Sequence, residues 1–126
     1  MITETLKTLS DATRLRILNL LSHGEMCVCE LEYLLGIKQS NLSKHLGILE
    51  RNHFILRNRK NKFVYCQINY EFLDQCHFAE EILSLLKSEE PFSSDEMNYQ
   101  TYLNSSLTYD CLPILLLEER LKEKRG

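Results

Sequence analysis

The chain has 126 residues, enough for one domain with a hydrophobic core and at most a short appendage. Its 44% hydrophobic and 26% charged residues are typical of a globular protein in water, and its longest aliphatic run, residues 114–117, is far too short to cross a bilayer. A formal net charge of −3 argues against nucleic-acid binding unless the positive charge is concentrated in one part of the chain.

The start of the chain lacks a basic segment followed by an apolar one, so we expect neither a secretory signal nor a membrane segment. The protein is therefore expected in the reducing cytoplasm, where its five cysteines would remain thiols. An odd number of cysteines without regular spacing also argues against a disulfide framework.

Three short helices are predicted before residue 36. Apolar residues three and four apart indicate the first, and Ser10 or Asp11 is a suitable N-cap for the second. The third covers residues 28–35, with Gly36 in the position of a left-handed C-cap. A further helix directly after Gly36 would complete a helix-turn-helix.

The fourth predicted helix, residues 37–51, has two different faces. Leu42, Leu46 and Leu49 recur at i, i+4 and i+7 and indicate a packing face. A helix in a DNA major groove needs short polar side chains near its N-terminus and cations for phosphate, although an ordinary surface helix also exposes such residues. The candidate DNA-binding residues of this helix are Gln39, Ser40, Asn41, Ser43, Lys44 and Arg51.

A β-hairpin is predicted next, from aromatic and β-branched residues at 54–59 and 63–68 with turn residues between them. Charge near its tip can simply protect a strand edge, but directly after a basic helix it favours a wing that contacts phosphate. Residues 38–62 hold seven Lys or Arg against one Glu, whereas residues 67–110 hold one Lys against nine acidic residues. The candidate wing cations are Arg57, Arg59, Lys60 and Lys62.

A longer helix is predicted over residues 70–88, because apolar residues alternate four and three apart as in a coiled-coil seam. This seam, together with Leu6 of the first helix, predicts a homodimer. The predicted interface residues of the long helix are Phe72, Cys76, Ala79, Leu83 and Leu86.

The division of the chain is predicted from a break at residues 89–95. Residues 1–88 would form the DNA-binding and dimerisation domain, and residues 89–126 a C-terminal extension of unknown role. Within this extension, helices are predicted at residues 97–104 and 113–124, the second with Pro113 in its first turn.

The order and spacing of these elements resemble the arsenical-repressor (ArsR/SmtB) family of winged-helix regulators over residues 1 to about 88. The resemblance implies a mainly α fold with a β-hairpin, a homodimeric winged helix-turn-helix that represses transcription by binding operator DNA. It implies no enzyme, and the chain carries no Cys-x-x-Cys pair, nucleophile with a readable base or phosphate loop. The matching segments are Leu9-Ser10-Asp11-Ala12-Thr13-Arg14-Leu15-Arg16-Ile17-Leu18, Glu25-Met26-Cys27-Val28-Cys29-Glu30-Leu31, Gln39-Ser40-Asn41-Leu42-Ser43-Lys44-His45-Leu46 and Lys62-Phe63-Val64-Tyr65.

Three positions depart from the family pattern. Lys38 stands where the family often has Ser, so the side-chain cap of the fourth helix is absent or has moved to Ser40. Asn61 stands at a wing position often held by Gly, which Asn tolerates because it accepts a left-handed conformation. Glu32 replaces a third Cys that similar arsenic-sensing members carry.

Cys27 and Cys29 are the candidate metal ligands, at the start of the third helix, where unpaired N–H groups favour thiolate. On a regular helix residues i and i+2 point about 200° apart, so both sulfurs can bind one ion only if that turn is distorted. Such a distortion would shift the helix that follows. Small buried hydrophobes are the alternative reading. Cys66 and Cys76 fit the core better, and the third ligand would be either a solvent molecule or the thiolate of Cys111.

Soft thiolates select thiophilic ions, so As(III) or Sb(III) is the first choice of inducer, with Cd(II) or Pb(II) next and no organic cofactor. Zn(II) normally takes four N or S ligands, which His23 could complete, although loop histidines usually have other partners. A thiol redox or persulfide sensor would use the same cysteines. A winged-helix protein-interaction module without DNA binding is a different class, and the segregated positive charge argues against it.

Overall fold

The computed structural model describes residues 2–105. Cys111 and the helix predicted over residues 113–124 therefore lie outside the described residues. In the described part no helix is long and apolar enough to cross a membrane. The elements are α1 (Ile2–Leu9), α2 (Ala12–Leu21), β1 (Met26–Cys27), α3 (Val28–Leu35), α4 (Gln39–Arg51), β2 (Ile55–Lys60), β3 (Phe63–Ile68), α5 (Tyr70–Asp74), α6 (His77–Leu85), a 3-10 turn (Leu86–Ser88) and α7 (Phe92–Leu103).

The helix ends follow local sequence signals. Asp11 is the N-cap of α2, and its side chain accepts a hydrogen bond from the Arg14 N–H at 3.2 Å. Gly36 ends α3 in the left-handed conformation, with φ 64° and ψ 29°, as its position predicts. At the start of α4, Lys38 provides no side-chain cap, so that cap is absent and not moved to Ser40.

The core lies between α2, α3 and α4. The packing face predicted for α4 is confirmed, since Leu42, Leu46 and Leu49 are almost completely inaccessible. They pack in one cluster with leucines and isoleucines of α2 and α3. Burying each such side chain stabilises the fold by roughly 1.5–3 kcal/mol, so this cluster holds the helix-turn-helix against α2.

Arg14 joins three helices. Its Nε donates to the Thr8 carbonyl at 2.7 Å and its Nη2 to the Lys7 carbonyl at 3.1 Å, which closes the end of α1. Its Nη1 lies 3.2 Å from Nδ1 of the buried His45 on α4. Burial lowers the pKa of His45, so the neutral ring accepts this hydrogen bond. The orientation of α4 therefore depends on a polar contact as well as on leucines.

The sheet has three antiparallel strands in the order β1-β3-β2. The predicted hairpin is confirmed, with pairing from Ile55↔Ile68 to Lys60↔Phe63. Asn61 has φ 58°, the left-handed conformation expected of it. The third strand was not predicted, because β1 is only two residues long. It pairs Cys27 with Tyr65 and Met26 with Cys66.

The prediction of a single helix over residues 70–88 is wrong. α5 ends at Asp74 and α6 begins after Cys76, whose backbone is not helical. Phe72 packs edge-on against Phe54, with ring centroids 5.1 Å apart, and Ala79 is completely buried in the core. Residues 72 and 79 are seven apart and would share one face of a continuous helix as well, so the apolar spacing could not reveal the break.

The C-terminal described helix, α7, begins at Phe92, five residues before the helix predicted over residues 97–104. Part of the predicted break is therefore helical. Arg16 of α2 donates from Nε and Nη2 to the buried Asp95 at 2.8 and 2.9 Å. The His23 ring stacks on Tyr99 at 4.2 Å. The division of the chain at residue 88 stays a prediction. α7 lies after this boundary and contacts α2 and α3, which lie before it.

Candidate functional site

The polar face of α4 is open to solvent in the single chain. α3, the turn at residues 36–38 and α4 form the helix-turn-helix, and the core leucines hold α4 by its opposite face. Nothing in the described part of the chain covers the short side chains near the N-terminus of α4. The exposed residues of this face are Gln39, Ser40, Asn41, Ser43, Lys44 and Arg51.

The four wing cations differ in their surroundings. Arg57 Nη2 lies 2.8 Å from Glu50 Oε1, and this hydrogen bond holds the pKa of Glu50 below its usual range. Lys60 Nζ lies 2.7 Å from Glu25 Oε1 and 5.1 Å from the centre of the Tyr65 ring. Arg59 and Lys62 are exposed and have no ion pair within residues 2–105. These two are the wing cations whose charge is available to a partner.

The two candidate thiols lie together at the start of α3. Cys27 is its N-cap, with an extended backbone of φ −67° and ψ 147°, so the regular helical geometry assumed for the pair is wrong. The Cys29 N–H donates to Cys27 Sγ at 3.4 Å. The Cys29 thiol also donates to the Cys27 sulfur, which lowers the pKa of Cys27 to about 7 and raises that of Cys29. A shared ion therefore does not require α3 to unwind first.

Glu30 connects this thiol pair to α7. Its Oε1 accepts the Cys27 N–H at 2.9 Å, which completes a capping box, and its Oε2 accepts the Tyr102 O–H at 2.6 Å. Neither Glu30 nor Tyr102 is among the site residues predicted from the sequence. The spacing Cys-x-x-Glu resembles the Ser/Thr-x-x-Glu capping pattern and could have indicated Glu30, whereas no local signal indicates Tyr102.

A cavity of about 430 Å³ separates the start of α3 from α4 and the wing. Both cysteines border it, although Cys27 is only 1% exposed and Cys29 is half-buried. The cavity therefore brings the candidate metal ligands beside the candidate DNA-binding residues. Its lining consists of Cys27, Val28, Cys29, Glu32, Gln39, Ser43, Leu46, Arg57, Arg59, Lys62, Phe63 and Val64.

The other cysteines and His23 lie elsewhere. Cys66 is fully buried, and burial raises the pKa of its thiol to about 12, which agrees with a core role. Cys76 is half-buried and packs against the core. His23 lies 2.6 Å from Glu96 on α7, not beside the thiols. Among residues 2–105 no group of three or more His, Cys, Asp or Glu side chains is placed to hold a metal ion.

The known proteins that this chain resembles are bacterial transcriptional regulators. The family model described as "Bacterial regulatory protein, arsR family" matches residues 11–55. An arsenical resistance operon repressor of Staphylococcus xylosus is 47% identical over 70 residues, 55% of this chain and 66% of that protein. The transcriptional repressor SdpR of Bacillus subtilis is 36% identical over 63 residues, 50% of this chain and 70% of that repressor.

A solved structure extends the comparison to the fold. The transcriptional repressor BigR of Xylella fastidiosa is 30% identical, with a TM-score of 0.57 over 69% of this chain and 83% of that one. The match to the Staphylococcus protein spans just under two thirds of that protein's length. These relatives are named as repressors, which agrees with the prediction from the sequence that the chain is a repressor and not an enzyme. The fold is a winged helix-turn-helix.

We predict that Tyr102→Phe speeds alkylation of Cys27 and Cys29 about five- to tenfold, since a hydrogen bond to a charged group contributes on the order of 1 kcal/mol or more. Without the Tyr102 hydroxyl, Glu30 keeps only its hydrogen bond to the Cys27 N–H, so the first turn of α3 opens more often. Alkylation by iodoacetamide would be followed for each cysteine by mass spectrometry. Tyr33→Phe removes a hydroxyl from the neighbouring ring, which has no bond to Glu30, and equal rates in the two variants would contradict the prediction.

Proposed function

Since this chain belongs to the arsR family of bacterial regulatory proteins, we propose that it is a cytoplasmic transcriptional repressor released from operator DNA by As(III) or Sb(III). The observation that carries the proposal is the shared cavity: Cys27 and Cys29 border the same space as residues of α4 and the wing. A ligand on the thiols would therefore lie against the elements that meet DNA.

The DNA-binding part of the proposal rests on the exposed face of α4 and on the wing. Asn41 and Ser43 are short polar residues near the N-terminus of α4, suited to base edges in a major groove. Arg59 and Lys62 would contact phosphate, with Lys44 and Arg51 on the helix. Arg57 and Lys60 would contribute less, because each is in an ion pair with a glutamate.

The inducer is proposed from the chemistry of the ligands. Two thiols select a thiophilic ion, and the relatives named as arsenical resistance repressors favour As(III) or Sb(III) over Cd(II) or Pb(II). Zn(II) is less suited, since it normally needs four ligands and His23 is engaged by Glu96. A thiol redox sensor is the second candidate, favoured by the lowered pKa of Cys27.

Release is proposed to follow from the position of Cys27. Its backbone pairs with Tyr65 in the wing, and its N–H is held by Glu30 at the start of α3. An ion bound to both sulfurs would replace the hydrogen bonds that the Cys27 sulfur accepts from Cys29, and the resulting shift of Cys27 would strain both contacts and so displace the wing and α4. A coupling of about 1–3 kcal/mol would reduce DNA affinity roughly 5- to 150-fold.

A homodimer is proposed from the apolar surface of α1 and α6. Leu6 is 48% exposed and Leu85 is 68% exposed, whereas Ala79 and Leu86 are already buried within the single chain. Phe72, Cys76 and Leu83 are half-buried against the core. Burial of the exposed leucines would be favourable in a two-fold interface, which suits a palindromic operator.

Neutralising Arg59 or Lys62 should weaken DNA binding at all sequences alike and reduce the slope of log affinity against log salt by up to about one unit each. Arg59→Gln and Lys62→Gln would be titrated with DNA at several salt concentrations. Lys87→Gln, in the 3-10 turn beyond the wing, is the matched control and should leave the slope unchanged. Unchanged slopes for the two wing variants would show that the wing does not contact phosphate.

The double variant Cys27→Ser/Cys29→Ser should bind operator DNA like the original chain but lose release by As(III), because a hydroxyl is a hard ligand for this ion. Fluorescence anisotropy of labelled DNA under reducing conditions would measure both properties. Cys66→Ser should lower the stability of the fold more than it changes the release by As(III). If the double variant is still released at the original As(III) concentration, the thiol pair is not the inducer site. Release by oxidant alone would favour the redox sensor.

Leu85→Glu should convert the dimer to monomers, because the interface would have to bury an unpaired charge. Sedimentation velocity at micromolar concentration would distinguish the two states. Met97→Glu changes a residue on α7 that is 71% exposed, and this control should remain dimeric. A monomeric original chain would refute the proposed dimer.

A further inference from the structure

We propose that bound As(III) takes its third ligand from a small thiol that carries carboxylates, held in the cavity by Arg59 and Lys62. The inference rests on the proposed function, because it concerns the same thiol pair. It names the class of a second molecule at that site, which the cysteines alone do not specify.

The number of sulfur ligands is the first argument. Trivalent arsenic forms three bonds, and Cys27 and Cys29 supply two. In the described part of the chain no third His, Cys, Asp or Glu joins them in a metal-binding group. Glu32 borders the same cavity, but its carboxylate is a hard oxygen ligand and a poor substitute for a thiolate. The third bond of arsenic is therefore made by a group outside this pair, a solvent hydroxyl or a third sulfur, and sulfur is the softer ligand.

The size of the cavity is the second argument. An ion held by two cysteines needs little space beyond the sulfurs. The cavity of about 430 Å³ lies within the range of sites that hold small organic ligands, roughly 300–1,000 Å³. Ser43, Arg59 and Lys62 on its border are exposed, so a ligand can enter from the surface that would face DNA.

The charge of the lining is the third argument. Three cations and one carboxylate border the cavity, and Arg57 already has Glu50 as its partner. Arg59 and Lys62 have no ion pair within residues 2–105, so they are free to receive anionic groups. A carboxylate on the third thiol would meet these cations, whereas a neutral or cationic thiol would gain nothing there.

The chemistry balances without an oxidant or reductant. Arsenous acid, As(OH)₃, exchanges its three hydroxyls for the sulfurs of Cys27, Cys29 and the small thiol. Three As–S bonds form and three As–O bonds break, and the three thiol protons leave with the hydroxyls as three water molecules. Arsenic remains trivalent. The bound thiol would also neutralise the two wing cations that are available to phosphate, so it would assist release from DNA.

Native mass spectrometry of the full chain with As(III) and glutathione tests the inference directly. The expected species is protein plus arsenic plus one glutathione minus three hydrogens. As(III) affinity, followed by the thiolate-to-arsenic ultraviolet absorption, should be about three- to tenfold higher with glutathione than with neutral 2-mercaptoethanol, as two exposed ion pairs allow. Cationic cysteamine should give the weakest binding.

The Arg59→Gln/Lys62→Gln double variant should lose the preference for glutathione. Lys60→Gln is the matched control, because Lys60 is a wing cation that pairs with Glu25 and does not border the cavity. Retention of the preference in the double variant would overturn the inference. Equal As(III) affinity with all three thiols would also overturn it. If Cys111→Ser then abolishes binding, Cys111 is the third ligand.

The same measurements separate this inference from the proposed function. As(III) binding that requires Cys27 and Cys29 but not a particular thiol would overturn only the third-ligand inference. Absence of As(III) binding, or binding that survives in Cys27→Ser/Cys29→Ser, would overturn both.

Discussion

The hydrogen bonds at Cys27 hold together the parts of this protein that its proposed function needs. The Cys27 backbone pairs with Tyr65 in the sheet, and its N–H is bonded to Glu30 in the first turn of α3. Its sulfur accepts hydrogen bonds from the N–H and the thiol of Cys29. One residue thus belongs to the wing, to the helix-turn-helix and to the thiol pair. Any change in the bonding of its sulfur acts on all three, because a buried, hydrogen-bonded backbone has little freedom to absorb it.

The helix α7 adds a second layer of constraint to the same region. Tyr102 donates to Glu30, while Arg16 pairs with Asp95 two turns earlier on the same face of the helix. These contacts are polar and partly buried, so their geometry is specific, and removing one partner leaves a carboxylate or guanidinium poorly satisfied. α7 therefore stabilises the start of α3 through residues that do not border the cavity. Its position links the C-terminal part of the described chain to the thiols.

Charge is unevenly distributed over the surface, and the net charge does not show this. The chain is acidic as a whole, with a net charge of −3, yet its basic residues concentrate on α4 and the wing. Within that basic surface, Glu50 and Glu25 occupy Arg57 and Lys60. On the wing, the available positive charge is thus limited to Arg59 and Lys62, which border the cavity. A ligand there and a DNA phosphate would compete for Arg59 and Lys62.

The sequence by itself determined the helix-turn-helix, the hairpin and the location of the thiol pair, because these depend on local signals. Leucines at helical spacing predicted the buried face of α4, Gly36 the end of α3, and β-branched residues the two long strands. Only the tertiary structure decided what lies beyond local patterns. A two-residue strand has no period to read, the apolar spacing continues unchanged across the break at Cys76, and the contact of Tyr102 with Glu30 joins residues 72 positions apart. Such long-range contacts depend on how the elements pack, and no stretch of sequence contains that information.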